Sequence, residues 1–263
     1  IGSKEQAEHG ARALAASRRG NSSSSIRGRM PGARRNAAPP GATIHLDPGT
    51  YRERIIIDKD LMLVGVPLTD GEFGPPATVI VGPVWDFVVA VEGDGVEVRL
   101  ENLVLTGGKT GLAASGDNTV ELDSVWITGI NDGIGARDGA VVDCRTCRIG
   151  DCETAVAVML GASARFAHSE ILDCSSSGIL AYSGGSLTMT DTTVRDCAQH
   201  ALYFQEEATI HLERCSILDN GGFGVFAYSA ECERYWIPGR TDEYDFTGTI
   251  TGWGNTIPGP DKE

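Results

Sequence analysis

The stretch CRTCRIGDC, residues 144–152, places three cysteines in nine residues. Two of them share a C-x-x-C spacing, which suggests half a zinc site or a redox pair. Its meaning changes beside LENLVLTGG (100–108), LDSVWITGI (122–130), HSEILDC (168–174), DTTVRDC (191–197) and ERCSILDN (213–220). The apolar anchors of these six segments are Leu105, Ile127, Ile149, Ile171, Val194 and Ile217, spaced 22, 22, 22, 23 and 23 residues apart. A period this regular over consecutive intervals marks a solenoid.

The residues between anchors say which solenoid. One further column reads Val120, Val142, Ala164, Leu187, Ile210, with Leu122, Cys144, Phe166, Met189 and Leu212 two residues on. Another reads Ile134, Val156, Ile179, Leu202, Val225. Each repeat thus carries three short runs in which apolar and polar residues alternate, one side chain in and the next out. No helical pattern of 10–15 residues separates the runs, which excludes a βαβ architecture. Three strands per turn of about 22 residues predict an all-β, single-stranded, right-handed parallel β-helix. Its coils would stack about 4.8 Å apart.

The period absorbs the cysteines. Cys152, Cys174 and Cys197 occupy one column that continues to Asn220, while Cys144 shares a column with Leu122 and Phe166, and Cys147 with Val125 and Ser169. Buried thiols packing as small hydrophobes explain all of them; a metal site is the competing reading. No disulfide is predicted, because side chains in one column point the same way. Before each member of the first column stands an aspartate: Asp151, Asp173, Asp196, Asp219. Stacked like charges repel, so these either cap the turns or are bridged by Ca²⁺.

With its period, three runs per coil and small-residue turn column, residues 41–257 resemble the pectate-lyase-like superfamily of right-handed β-helix proteins. That fold hosts lyases, hydrolases, esterases, epimerases, adhesins and tailspikes, so the resemblance implies a fold more than an activity. In its polysaccharide lyases, carboxylates on the outer face of the first-strand sheet bind Ca²⁺, and an Arg or Lys removes the C5 proton. The resemblance implies Glu121, Asp123 and Asp143 as Ca²⁺ ligands, with Arg145 and Arg165 as catalytic bases. The competing reading is a charge ladder, Asp143 with Arg165 and Asp123 with Arg145. Several motifs of related enzymes are missing, among them R-x-P-x-x-R, W-I-D-H, G-H-G and R-I-K. The run PGTYRERIIIDKDLMLVGV (48–66) is similar to the first coil of pectin methylesterases, but no D-F-I-F-G element follows CRIGDC.

The outward column of the third strand reads Gly135, Ala157, Leu180, Tyr203, Phe226, flanked by Tyr182 and Tyr228. An insertion near residues 231–245 adds Tyr235 and Trp236. Aromatics in a row suit stacking on sugar rings or a partner surface. The alternative is that the inserted loop folds over and covers them. His45, His168, His200 and His211 form no ligand pattern.

Composition sets the remaining bounds. The chain has 263 residues, 34 Gly, 7 Phe, 4 Trp, 7 Cys and a net charge of −14. That charge argues against nucleic acid, whose phosphates need a basic surface, and against polyanionic sugars unless a divalent cation intervenes. No apolar window is long enough to span a membrane. Residues 1–40 read as a flexible, basic, low-complexity tail with one short helix over 4–17, and residues 41–263 as the β-helix with a C-terminal cap. The first residue is Ile1, with no initiator Met or apolar signal core, the expected look of a processed or trimmed chain. Two functions follow as expectations. One is a secreted or cell-surface module that binds a polysaccharide or a surface protein without catalysis or cofactor. The other is a Ca²⁺-dependent polyuronate lyase.

Overall fold

The computed structural model describes residues 23–26, 38–67, 74–228 and 246–257. All regular structure in them is β, and every strand pairing is parallel. Eight full coils stack into a right-handed β-helix, and a ninth begins at Thr249–Trp253. The first-strand sheet holds ten strands in the order Ser23–Ile26, Ala42–Leu46, Leu61–Val64, Glu97–Glu101, Thr119–Asp123, Val141–Arg145, Ser163–Ala167, Ser186–Thr190, Thr209–Glu213, Thr249–Trp253. The second- and third-strand ladders merge into one sheet because Trp126–Arg137 and Arg148–Val158 each run through both.

The sequence columns are the observed registers. Leu105 pairs with Ile127, Ile127 with Ile149, Ile149 with Ile171, Ile171 with Val194, and Val194 with Ile217. Val120–Val142–Ala164–Leu187–Ile210 and Ile134–Val156–Ile179–Leu202–Val225 form the other two inner columns. These side chains are buried, apart from the half-buried Val225, and they fill one continuous core between the sheets. Each fully buried Ile, Val or Leu contributes about 1.5–3 kcal/mol relative to exposure, which is what holds coils with so few aromatics.

Within the stretch expected to be a tail, Ser23–Ile26 pairs in register with Thr43–Leu46. A first coil otherwise presents an open row of backbone donors and acceptors, and a strand laid on it pairs that row. The expected short helix over 4–17, the insertion near 231–245 with Tyr235 and Trp236, and the last residues of the expected cap lie outside the described residues.

The turns explain the aspartates. Asp151, Asp173, Asp196 and Asp219 all adopt left-handed backbone, with φ of 53°, 53°, 57° and 52°. Asp tolerates this region because its short side chain bonds locally, whereas a branched residue clashes. Asp173→Val is therefore expected to cost about 1–2 kcal/mol more than Asp173→Gly, measured as the shift in urea midpoint. Equal midpoints for the two variants would remove the backbone explanation. A second left-handed series follows the first strands, at Asn102, Ser124, Thr146, His168, Asp191 and Arg214 (φ 48–54°). Sequence did not announce it, since Ser124, Thr146 and Arg214 are of types not favoured there, against Asn102, His168 and Asp191, which are.

Inside the turns, side chains satisfy backbone donors that the coil-to-coil ladder leaves over. The Cys147 amide donates to Ser169 Oγ at 3.1 Å, that of Cys197 to Asn220 Oδ1 at 3.0 Å, and that of Cys215 to Asn255 Oδ1 at 2.8 Å. The six described cysteines are free and buried. Burial pushes the Cys152 thiol up to about 12, and burial also raises Cys144 and Cys215. Thiols raised in this way pack the core and are poor nucleophiles; Cys197 shifts the other way, lowered by its hydrogen bond with Cys174. Among the described residues no group of three or more His, Cys, Asp or Glu side chains is placed to hold a metal ion.

Candidate functional site

Two outer faces carry side chains that a ligand would meet. On the third-strand face, one outward column runs Ala90, Ala113, Gly135, Ala157, Leu180, Tyr203, Phe226, each in register with the next. Six steps at the strand spacing make it roughly 29 Å long. Its first part is the floor of a groove of about 420 Å³. Small side chains at Ala90, Ala113, Gly135 and Ala157 keep the floor low. One wall holds Phe87, Thr110, Asp132 and Thr154; the other holds Glu92, Ser115, Arg137, Met159 and Tyr182.

Asp132 stands between Thr110 and Thr154 in register. Burial raises its carboxyl above the ordinary range, against the pull of Lys109 beside it. Tyr182 is half-buried, and its hydroxyl donates to Met159 Sδ at 3.0 Å. Burial, with Glu206 and Asp132 nearby, raises its phenol.

The floor then rises into rings. Tyr203 and Phe226 stack at 5.4 Å, and Tyr228 tilts against Tyr203 at 6.4 Å. Tyr182, Tyr203, Phe226 and Tyr228 thus belong to one face, as the column predicts. The rings missing from the sequence reading are Phe223, which stacks on Phe226 at 5.7 Å, and His200, which lies flat on Phe226 at 4.4 Å and 7° and also stacks on Tyr203 and Phe223. Its Nδ1 accepts the Phe223 amide at 3.0 Å. Burial lowers its pKa, so the ring is held neutral, as an aromatic surface requires. The available signal was its place two residues before the Leu202 anchor and 23 before Phe223.

The first-strand face differs in character. Its groove of about 510 Å³ is lined by Arg99, Glu121, Asp123, Asp143, Arg145 and Arg165, among others. Arg165 pairs with Asp143 at 3.0 Å, one half of the charge ladder. The other half, Asp123 with Arg145, does not form. Asp123 instead meets Arg99 at 3.4 Å, and Arg99 also reaches Glu101 at 3.5 Å and Glu121 at 3.6 Å. Arg99 thus gathers three carboxylates, one from its own strand and two from the next coil. Arg145 has no ion pair among the described residues. All three carboxylates expected as Ca²⁺ ligands are therefore engaged by arginines.

Comparison with known proteins places this geometry. The chain is similar to the pectin methylesterase from Aspergillus niger, at 15% identity and a TM-score of 0.61, over 88% of this chain and 82% of that one. It is similar to a pectate lyase, Pel9A, at 12% identity and a TM-score of 0.56, covering 86% and 72%. The A-module of the Azotobacter vinelandii mannuronan C-5 epimerase AlgE4 matches at 15% identity and a TM-score of 0.53, covering 74% and 67%. At these identities the likeness is one of fold. No curated protein matches the sequence. A family model described as the right handed beta helix region matches residues 88–235, and the chain belongs to that family.

Proposed function

We propose that this protein is a glycan-binding β-helix module of the cell surface or extracellular space, holding a polysaccharide along its third-strand face without chemistry of its own. The observation that carries the reading is the single column that passes from a low floor at Ala113 and Gly135 to the stacked rings of Tyr203, Phe226 and His200. Flat rings and half-buried hydroxyls match the two surfaces of a sugar, its apolar face and its polar edge. The solved structures it resembles include a pectin methylesterase in complex with a hexasaccharide, which supports a glycan as the ligand class. Tyr182 and Tyr228 flank the platform, and Tyr235 and Trp236 are proposed as further contacts.

The polyuronate lyase is the second reading, favoured by Arg145, which has no ion pair among the described residues, in a charged groove. In it Arg145 and Arg165 serve as bases, with Ca²⁺ held by Glu121, Asp123 and Asp143. The three carboxylates already paired with Arg99 and Arg165 count against it.

A glycan array followed by titration of the best oligosaccharide separates the two. Tyr203→Ala and Phe226→Ala are each expected to weaken binding about tenfold, the size of a 1.4 kcal/mol contact, with Arg145→Ala unchanged. Unchanged affinity in both ring variants, or chelator-sensitive release of unsaturated sugars that Arg145→Ala abolishes, would replace binding by the lyase.

A further inference from the structure

Resting on the reading of the third-strand face, we infer that the polysaccharide it takes is uncharged, a neutral glycan whose hydroxyls are read by Asp132, rather than a polyuronate. The groove's own charges carry this. Its lining includes two carboxylates, Glu92 and Asp132, and one cation, Arg137. That cation is already paired with Asp138 at 3.5 Å. Lys109, beside the groove, acts on Asp132. Glu206 lies close enough to Tyr182 to raise its phenol, and the chain carries a net charge of −14.

A uronate chain lying along the column would bring a carboxylate near Asp132 and Glu92, where the nearby cations among the described residues, Arg137 and Lys109, already face Asp138 and Asp132. Like charges brought together in a partly desolvated site disfavour that ligand strongly. A neutral sugar meets no such repulsion. Ionised, Asp132 accepts hydrogen bonds from sugar hydroxyls; protonated, it donates one and still accepts, and the Thr110 and Thr154 hydroxyls on either side donate or accept. That set suits vicinal hydroxyls. The floor of Ala90, Ala113, Gly135 and Ala157 lets an unbranched chain lie flat along the axis. The rings from Leu180 onward supply stacking, which does not depend on ligand charge. The arginine cluster of Arg99, Arg145 and Arg165 stands on the other face.

The test titrates the full chain with hexamers of β-1,4-glucose, β-1,4-mannose and β-1,4-xylose, and with hexamers of galacturonate and mannuronate. The variants are Gly135→Trp, Asp132→Ala and the pair Arg145→Ala/Arg165→Ala. At Gly135 an added Cβ meets nothing closer than Thr110 Cγ2 at 4.0 Å, so a ring there fills the groove and leaves the coil intact, checked by an unchanged thermal melt. Gly135→Ala serves as the milder variant if that melt shifts.

The expected result is a neutral hexamer bound at least tenfold tighter than either uronate, insensitive to 0.5 M salt, weakened about tenfold by Asp132→Ala and removed by Gly135→Trp. A uronate bound as tightly or tighter, and still removed by Gly135→Trp, overturns the inference while leaving the third-strand face as the site. A uronate lost in the Arg145/Arg165 variant but kept by Gly135→Trp overturns both. Binding of no hexamer in either class removes the proposed function and this inference with it.

Discussion

Phe166→Ala is expected to lower stability by about 3–5 kcal/mol, a large share of the 5–15 kcal/mol that holds a typical domain together. Phe166 is 2% exposed, stacked in register between Cys144 and Met189. Its neighbours in the column are smaller or softer, and the chain offers few other rings to the core. In a solenoid each coil is supported mainly by the two beside it, so a cavity here weakens two interfaces at once. The readout is the urea midpoint followed by circular dichroism, against Thr209→Ala on the exposed face, expected within about 0.5 kcal/mol of the parent. A Phe166→Ala midpoint equal to that control would mean that the ring is not a core residue. The coil registers would then be wrong.

Gly133→Ala is the second large effect, from a single added methyl. A Cβ at Gly133 would lie 2.3 Å from the Ala155 carbonyl oxygen and 2.7 Å from Ile149 Cγ2. Neither can retreat, because Ala155 is backbone of the next coil and Ile149 is a core anchor. Overpacking of this kind costs about 1–3 kcal/mol and occasionally more. Two residues on, Gly135→Ala faces open groove and is expected to cost less than about 0.5 kcal/mol. In the same column a Cβ added at Gly111 or Gly178 would lie 2.7 Å from the carbonyl oxygen of Gly133 or Ala201, so close approach is built into this turn of the coil. Thermal melts of the two alanine variants measure the contrast. Equal melts would show that coils Trp126–Arg137 and Arg148–Val158 do not approach as closely as they do here.

The fold was legible because the solenoid writes its register into the sequence. A period of 22–23 residues fixes which side chains stack, and the two-residue alternation within strands fixes which point inward. Ile127, Ile149 and Ile171 could therefore be placed in one column before any coordinates, and CRTCRIGDC resolved into three columns of buried thiols. What stayed hidden depends on reach and on turns. Arg99 captures Asp123 because a long side chain leans across a coil, which column arithmetic does not see. His200 joins the rings because the bend before the third strand lays it flat on Phe226. The left-handed backbone at Ser124, Thr146 and Arg214 has no residue preference to betray it. The glycine column at 111, 133 and 178 was in the sequence, but its purpose needs the neighbouring carbonyls.

The third-strand face as a glycan site is tested most directly by a crystal structure of the protein with its tightest-binding oligosaccharide. The account expects sugar density along Ala113, Gly135, Ala157 and Leu180, with a ring stacked on Tyr203 or Phe226. Density lying instead over Arg99, Arg145 and Arg165 would contradict it.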